Sequence, residues 1–347
     1  KAMELKDFYY NLPEELIAQH PHVQRDGSRM LRLNRTSGEI NDCMFSRLPD
    51  FLEKGDVLVI NNSKVIPARL FGKKSTGASL EILLLTRKET PEAAEVWEVL
   101  LRPGKRIKEN DVIILNDDCE AKVLSRISEK KWLLQFSWKG NFEDYLNIHG
   151  RAPLPPYIKR KKGGGQFVED LERYQTVYAR NPGSIAAPTA GLHFTEEVMR
   201  ELQAKGISIA PVTLHVGYGT FLPIEVGCVE DHVMEEEYYE VSAESADIIN
   251  NARRVIAVGT TSTRTLESIA DEKGLVKATS GFTNLFIYPG YKFRRVNGLL
   301  TNFHLPQSSL FLLVCSFAGI DLIKRSYQHA VASRYFFYSY GDCMLIL

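Results

Sequence analysis

The sequence predicts an α/β protein: a layered α/β main domain with a small antiparallel β-barrel inserted into it. Three observations carry this. After about Gly150, short apolar runs alternate with capped helical segments, the pattern of helices layered on a largely parallel sheet. Between Val65 and His149, short β-type runs follow one another with turn signals and no helical period between them. Before them, Val57-Leu58-Val59-Ile60 is a short buried-strand run, set between the turn Gly55-Asp56 and the break Asn61-Asn62-Ser63. The α/β domain is therefore expected to be discontinuous, residues 1–64 and 150–347, around a barrel of residues 65–149.

The barrel strands are expected at Leu80–Leu85, Val96–Leu101, Val112–Leu115, Ala121–Ile127 and Trp132–Trp138. Pro103-Gly104 and Asn116-Asp117-Asp118 supply turns. All three tryptophans, Trp97, Trp132 and Trp138, fall in this stretch, in keeping with β-propensity. The run KRKKGGG over residues 159–165 reads as an exposed flexible linker.

In the last region, Thr195 is a good N-cap, with Glu196 and Glu197 where the helix dipole favours carboxylates. Phe194 and Met199 form a hydrophobic staple, and Gly206 ends the helix. A strand is expected from Ser208 to Val216, a helix from Ala243 to about Arg253, and a strand at Val255–Val258. That strand runs into the loop Gly259-Thr260-Thr261-Ser262, with a helix from about Arg264. Ser308 or Ser309 caps a helix over Leu310–Phe317, closed by Gly319.

Composition bounds the function loosely. The chain has 347 residues, 44% hydrophobic and 25% charged, as in an ordinary globular protein. With 43 basic and 43 acidic residues, bulk charge points to no nucleic-acid partner, so such binding must come from local patches. Cys43, Cys119, Cys228, Cys315 and Cys343 are widely spaced and include no C-x-x-C pair, which fits free thiols in a reducing compartment. No metal spacing occurs, so no metal is expected. The longest apolar run, Leu310–Cys315, is far too short to span a bilayer, and a cytoplasmic location without membrane contact is expected.

Ligands of open α/β sheets sit at the carboxyl ends of the strands, and five unusual loops fall there. Gly259–Glu267 offers a close-approach glycine and, before the helix start at about Arg264, four hydroxyls, suited to a polar ligand or simply to a solvated helix start. His215-Val216-Gly217-Tyr218-Gly219-Thr220-Phe221 is a loop able to wrap a ligand, or a tight turn with a core histidine. Gly183–Thr195 (GSIAAPTAGLHFT) has little side-chain bulk in its Ala186–Gly191 portion and sets His193 just before a helix N-terminus. There an imidazole tends to lose its proton, and a neutral histidine serves as a general base or packs in a loop. Leu300–Ser309 again sets a histidine, His304, and an amide, Asn302, before a helix. Asp231–Tyr239 places His232 five residues before Glu237.

Together these segments resemble one family, the S-adenosylmethionine:tRNA ribosyltransferase-isomerases of queuosine biosynthesis. The likeness runs nearly end to end. It takes in Asp7-Phe8, Leu12–Gln19, Asn61–Arg69, Arg102–Arg106, Pro153–Ile158, Arg173–Tyr178, Gly183–Thr195 and His215–Phe221. It continues through Val258–Glu267, Phe286–Gly290, Thr301–Pro306 and Tyr340-Gly341-Asp342. The resemblance implies transfer of the donor's ribosyl group to 7-aminomethyl-7-deazaguanine at the tRNA wobble position. The ribose is isomerised to an epoxycyclopentanediol, giving epoxyqueuosine, with release of adenine and methionine. S-adenosylmethionine is then a consumed co-substrate and no cofactor is implied. A monomer is expected rather than a stable oligomer.

Two departures bear on the site. The family usually reads Gly-Glu before the Pro-Leu-Pro-Pro run, where this chain has Gly150-Arg151. The second histidine usual three residues after His232 is here Glu235. His193, His215 and His304 are left as candidate bases, with Glu237 or Asp342 to protonate adenine or hold ribose hydroxyls. Thr189, Gly191, Gly217, Gly219, Thr220, Thr260, Thr261, Arg264 and Asn302 are expected around the donor. Its sulfonium acidifies the neighbouring ribose methylene, so a base can open the sugar and expel adenine. Arg102, Lys105 and Arg106, with Lys159 and Arg160, are expected phosphate contacts, or else a solvated face. A methyltransferase acting on RNA is a rival reading, weakened by the missing glycine-rich fingerprint. A non-catalytic RNA binder is another, weakened by the neutral charge and the histidine-bearing loops.

Overall fold

The computed structural model describes residues 2–88, 94–104, 107–160, 167–221 and 223–347. In chain order its strands are β1 (Arg29–Leu33), β2 (Ile40–Met44), β3 (Asp56–Asn61), β4 (Ser63–Val65), β5 (Arg69–Lys74), β6 (Ser79–Lys88), β7 (Glu95–Arg102), β8 (Val112–Asn116), β9 (Cys119–Arg126), β10 (Lys131–Trp138), β11 (Asn181–Ser184), β12 (Ser208–Leu214), β13 (Glu237–Val241), β14 (Arg254–Val258), β15 (Thr279–Thr283), β16 (Gly298–Asn302) and β17 (Cys343–Ile346). The α-helices are α1 (Phe142–His149), α2 (Phe167–Arg173), α3 (Glu196–Ala204), α4 (Ala243–Asn250), α5 (Gly259–Ile269), α6 (Ser309–Ala318) and α7 (Ile320–Ala332). The chain divides into two compact units. One comprises Lys1–Lys64, Pro155–Lys162 and Arg173–Leu347, the other Val65–Leu154 and Gly163–Glu172.

The first unit is built on a nine-stranded sheet in the order β15-β13-β12-β3-β14-β16-β17-β1-β2. β3, β14 and β16 lie at its centre, and nearly every residue of them is buried. A strand covered on both faces needs a continuous apolar run, which is what Val57–Ile60 and Val255–Val258 supply. The period-2 alternation then sorts the side chains. Val57, Val59, Val255, Ala257 and Leu299 share a core with Ala246 and Ile249 of α4, Leu266 of α5 and the α6–α7 pair. Leu58, Ile60, Ile256, Val258 and Leu300 pack instead with Phe45, Phe194 and Val198 and Leu202 of α3. Two helical layers thus sandwich the sheet.

The sheet is mixed rather than largely parallel. β12/β3, β3/β14, β14/β16 and β17/β1 are parallel, and the remaining junctions are antiparallel. The reversal at β16/β17 follows from connectivity. One helix returns a strand parallel, whereas α6 and α7 in succession bring the chain back from the opposite end. Sequence reading did not anticipate α7, nor the β1–β2 hairpin.

The second unit contains a closed antiparallel barrel, β10-β7-β6-β5-β8-β9. Its alternating inward residues include Leu80, Ile82 and Leu84 of β6, Ala121 and Val123 of β9, and Trp132, Leu134 and Phe136 of β10.

Helix caps fall as the sequence suggests. Thr195 accepts from the amide of Val198 and Ser308 from Phe311, and Ser242, not singled out above, caps α4 by accepting from Ser245. Among the boundaries that differ, one bears on the site: α5 begins at Gly259, five residues before Arg264, so the hydroxyl run is helix rather than loop. Thr263 and Thr265 donate to the carbonyls of Gly259 and Thr261, each at 3.0 Å. Back-bonding of this kind lets hydroxyls sit inside a buried helix, against their usual preference for turns. All five cysteines carry free thiols. No described helix is long and apolar enough to cross a membrane.

Candidate active site

A cavity of about 300 Å³ opens at the carboxyl ends of β12, β14 and β16. That is the end of a parallel sheet where ligands collect, and the volume is at the small end of the usual range for ligand pockets. Thr189, Thr220, Thr260, Thr261, Asn302 and His304 all line it. The first turn of α5 supplies Gly259, Thr260 and Thr261, because β14 delivers the chain straight into that helix.

His304 is the candidate base that faces this cavity. Its Nε2 lies 2.8 Å from the Thr301 hydroxyl, and its amide donates to Tyr327 Oη at 3.1 Å. Burial pushes its pKa down to about 3, so the ring stays neutral. His193 stands behind the wall instead. Its Nε2 meets Asn302 Oδ1 at 3.0 Å and its Nδ1 meets Ser28 Oγ at 2.8 Å. Burial lowers its pKa to about 4. His215 also lies outside the lining. Its ring stacks on Tyr238 beneath Gly183, where a Cβ would come within 2.7 Å of it. Burial lowers its pKa, and its Nδ1 has no partner among the described residues.

Glu237 and Arg264 form a buried ion pair on the flank of the cavity. The other carboxylate oxygen of Glu237 accepts from the Gly217 amide at 2.8 Å and the Thr220 hydroxyl at 3.2 Å. Arg264 also donates to the Leu285 carbonyl at 3.0 Å. Of the glycine loop, Val216 and Thr220 reach the cavity; Gly217 faces Glu237 and Gly219 faces Glu235. Gly191 is a packing glycine, since a Cβ there would meet Tyr178 Oη at 2.1 Å.

Asp342 is turned away from the cavity. It accepts the amides of Arg29 at 2.8 Å and Phe336 at 2.7 Å, with His22 Nε2 at 3.2 Å. Lys159 pairs with Glu14 at 2.9 Å, and Arg160 donates to the Gln19 carbonyl at 2.8 Å. Arg102 is exposed in the barrel unit, while Lys105 and Arg106 lie outside the described residues. Arg151 has a structural occupation within that unit. Its guanidinium lies 3.6 Å from the Phe167 ring centroid and 4.8 Å from that of Phe71.

Several site residues escaped reading from the sequence. Tyr157 and Tyr338 line the cavity with their ring centroids 4.1 Å apart, and Tyr157 Oη lies 2.5 Å from Ser339 Oγ. Tyr338 and Gln307 both line it with left-handed backbones, at φ 74° and 59°. Such strain in non-glycine residues concentrates at functional sites. No local pattern marks them, because tertiary contacts impose the conformation. In the sequence Asn61 marks only the break after the apolar run Val57–Ile60. It is buried at the end of β3, where it bonds both the amide and carbonyl of Leu214 and reaches Thr261 Oγ1 at 3.3 Å. The side chain thereby ties β12 to the start of α5. Among the described residues no cluster of histidine, cysteine and carboxylate could hold a metal ion.

Over residues 5–346 the chain matches the family described as queuosine biosynthesis protein. It is 56% identical over 361 residues to the S-adenosylmethionine:tRNA ribosyltransferase-isomerase of Syntrophus aciditrophicus (strain SB), covering 99% of this chain and 100% of that protein. It is 49% identical over 351 residues to the protein of the same name from Desulfitobacterium hafniense (strain DSM 10664 / DCB-2), again over 99% and 100%. Among solved structures it is similar to the S-adenosylmethionine tRNA ribosyltransferase of Thermotoga maritima, with a TM-score of 0.55, 36% identity and coverage of 98% and 100%.

Proposed function

The chain belongs to the queuosine biosynthesis protein family, and from that membership we propose that it is an S-adenosylmethionine:tRNA ribosyltransferase-isomerase. It transfers and isomerises the ribosyl group of S-adenosylmethionine onto 7-aminomethyl-7-deazaguanine at the tRNA wobble position. Epoxyqueuosine forms, and adenine and methionine leave. The donor is a consumed co-substrate, and the reaction as written needs no resident cofactor. The carrying observation is identity above half to a relative of that name along essentially the whole chain.

The cavity supports the same reading chemically. The donor's sulfonium acidifies the ribose methylene beside it. Removal of that proton needs an unprotonated nitrogen lone pair, and His304, held neutral by burial, is the histidine that lines the cavity. Thr189, Thr260 and Thr261 offer hydroxyls to the ribose, while Tyr157 and Tyr338 offer ring surface to a purine. Glu237 holds the Thr220 loop against the donor. Arg102 and Lys108 on the barrel, and Lys159 and Arg160 on the larger unit, are the proposed phosphate contacts.

The test is incubation with labelled donor and tRNA bearing the aminomethyl base. Adenine and methionine are expected as products. S-adenosylhomocysteine would instead mark a methyltransferase, and no consumption of donor would mark a binding protein.

A further inference from the structure

We infer that His193 is a positioning residue of the proposed reaction, the middle member of a buried hydrogen-bond chain, Ser28–His193–Asn302, that fixes the Tyr157–Tyr338 wall of the cavity. This rests on the reaction assigned above. The direction of each bond follows from donor and acceptor inventory. The Asn302 side-chain amide donates to the carbonyls of Tyr338 at 2.8 Å and Ser339 at 3.3 Å. Its Oδ1 is therefore left to accept, and His193 Nε2, 3.0 Å away, must carry the hydrogen. In a neutral ring Nδ1 is then an acceptor, and it faces the Ser28 hydroxyl at 2.8 Å.

The surroundings keep the ring neutral. Ser28, His193 and Asn302 are all buried, and the Phe45 ring lies 5.3 Å from the imidazole. The charged and titratable groups acting on it are Asp342, His22 and Arg25. Asp342 spends its oxygens on the Arg29 and Phe336 amides and on His22, while Arg25 donates to the Leu192 carbonyl at 3.2 Å. With both nitrogens engaged inside the protein, His193 offers no lone pair to a substrate. What it holds is the turn beyond Asn302. Tyr338 there is left-handed, its amide donates to the Phe303 carbonyl at 3.0 Å, and the next residue, Ser339, meets the Tyr157 hydroxyl. A polar chain with every member satisfied rigidifies its site, and small displacements at a reacting centre are costly in rate.

Two readouts test this on the full-length protein. Long-range proton–nitrogen spectra of histidine-labelled protein should show His193 protonated at Nε2 alone from about pH 5 to about pH 9, across the whole window where an ordinary histidine titrates. Ser28→Ala should shift its Nδ1 resonance. In the adenine-release assay, His193→Gln retains a donor at the Nε2 position. It should keep turnover within about tenfold with the wild-type pH profile, whereas His193→Ala should lose about a hundredfold. Titration of His193 in that range, an Nδ1-protonated ring, or a folded His193→Gln protein as inactive as His193→Ala would each overturn the inference. If wild-type protein released no adenine, the proposed reaction itself would fall. The nitrogen spectra would still decide whether the hydrogen-bond chain exists.

Discussion

Glu237 divides its carboxylate between Arg264 and the loop that begins at Gly217. Both side chains are buried, so the pair is largely shielded from water. Glu237→Ala leaves the guanidinium buried without its counter-ion, a loss of about 3–5 kcal/mol. Urea denaturation should show that drop. A loss below about 1 kcal/mol, the range of an exposed pair, would mean that water reaches Arg264.

His304 carries a different expectation. Its effect should fall on turnover. His304→Gln keeps the approximate volume and a polar atom near Thr301 but removes the basic nitrogen. Adenine release should slow by about 10²–10⁴-fold, the usual contribution of a general base. Because burial holds its pKa at about 3, the wild-type profile should show no acid limb from this group above about pH 5. Near-wild-type turnover in His304→Gln would remove it as the base.

The same burial makes stability depend on pH. His193 and His304 have folded pKa values of about 4 and about 3, below the ordinary 6.5. Between those values and 6.5 the unfolded chain binds protons that the folded chain does not, so stability rises with pH. The contribution is fully present above 6.5 and is lost as pH falls towards the folded values. Each histidine adds about 1.4 kcal/mol per pH unit to that slope. Denaturation midpoints at about pH 5 and about pH 6 should differ less in His304→Gln than in wild type. Equal slopes in the two proteins would show that His304 is already protonated in the fold.

The scaffold was legible where one physical signal dominated. The apolar runs Val57–Ile60 and Val255–Val258 announce strands covered on both faces, and Thr195 and Ser308 announce helix starts. The start of α5 was not legible. Gly-Thr-Thr-Ser-Thr reads locally as a turn, and only burial with back-bonded hydroxyls makes it helix. The site split in the same way. Thr189, Thr260, Thr261, Asn302 and His304 belong to segments just beyond or at strand ends whose order could be read, and they meet at one cavity. The division of labour between His193 and His304 could not be read, since it depends on which ring faces the cavity and which faces Ser28 across 165 residues of chain. Tyr338 was invisible for the reason that makes it informative: its left-handed backbone is imposed by contacts distant in sequence.

Gly191 was expected at the donor for its bare backbone, and its surroundings assign it to packing. A methyl group there would lie 2.1 Å from Tyr178 Oη and 2.8 Å from Thr176 Cγ2. Tyr178 cannot easily retreat, because its ring packs at 6.0 Å edge-on against the fully buried Phe194. Gly191→Ala must therefore move either the Tyr178 ring or the short turn Thr189–His193. Overpacking of this kind destabilises by about 1–3 kcal/mol. If the turn moves, Thr189 shifts at the cavity and His193 shifts against Asn302 together, so stability and adenine release should both fall. Tyr178→Phe removes the clashing oxygen, whose hydroxyl has no hydrogen-bond partner among the described residues. Added to Gly191→Ala, it should restore much of both. Failure of that rescue, with Tyr178→Phe alone harmless, would place the obstruction in the Thr176 methyl instead.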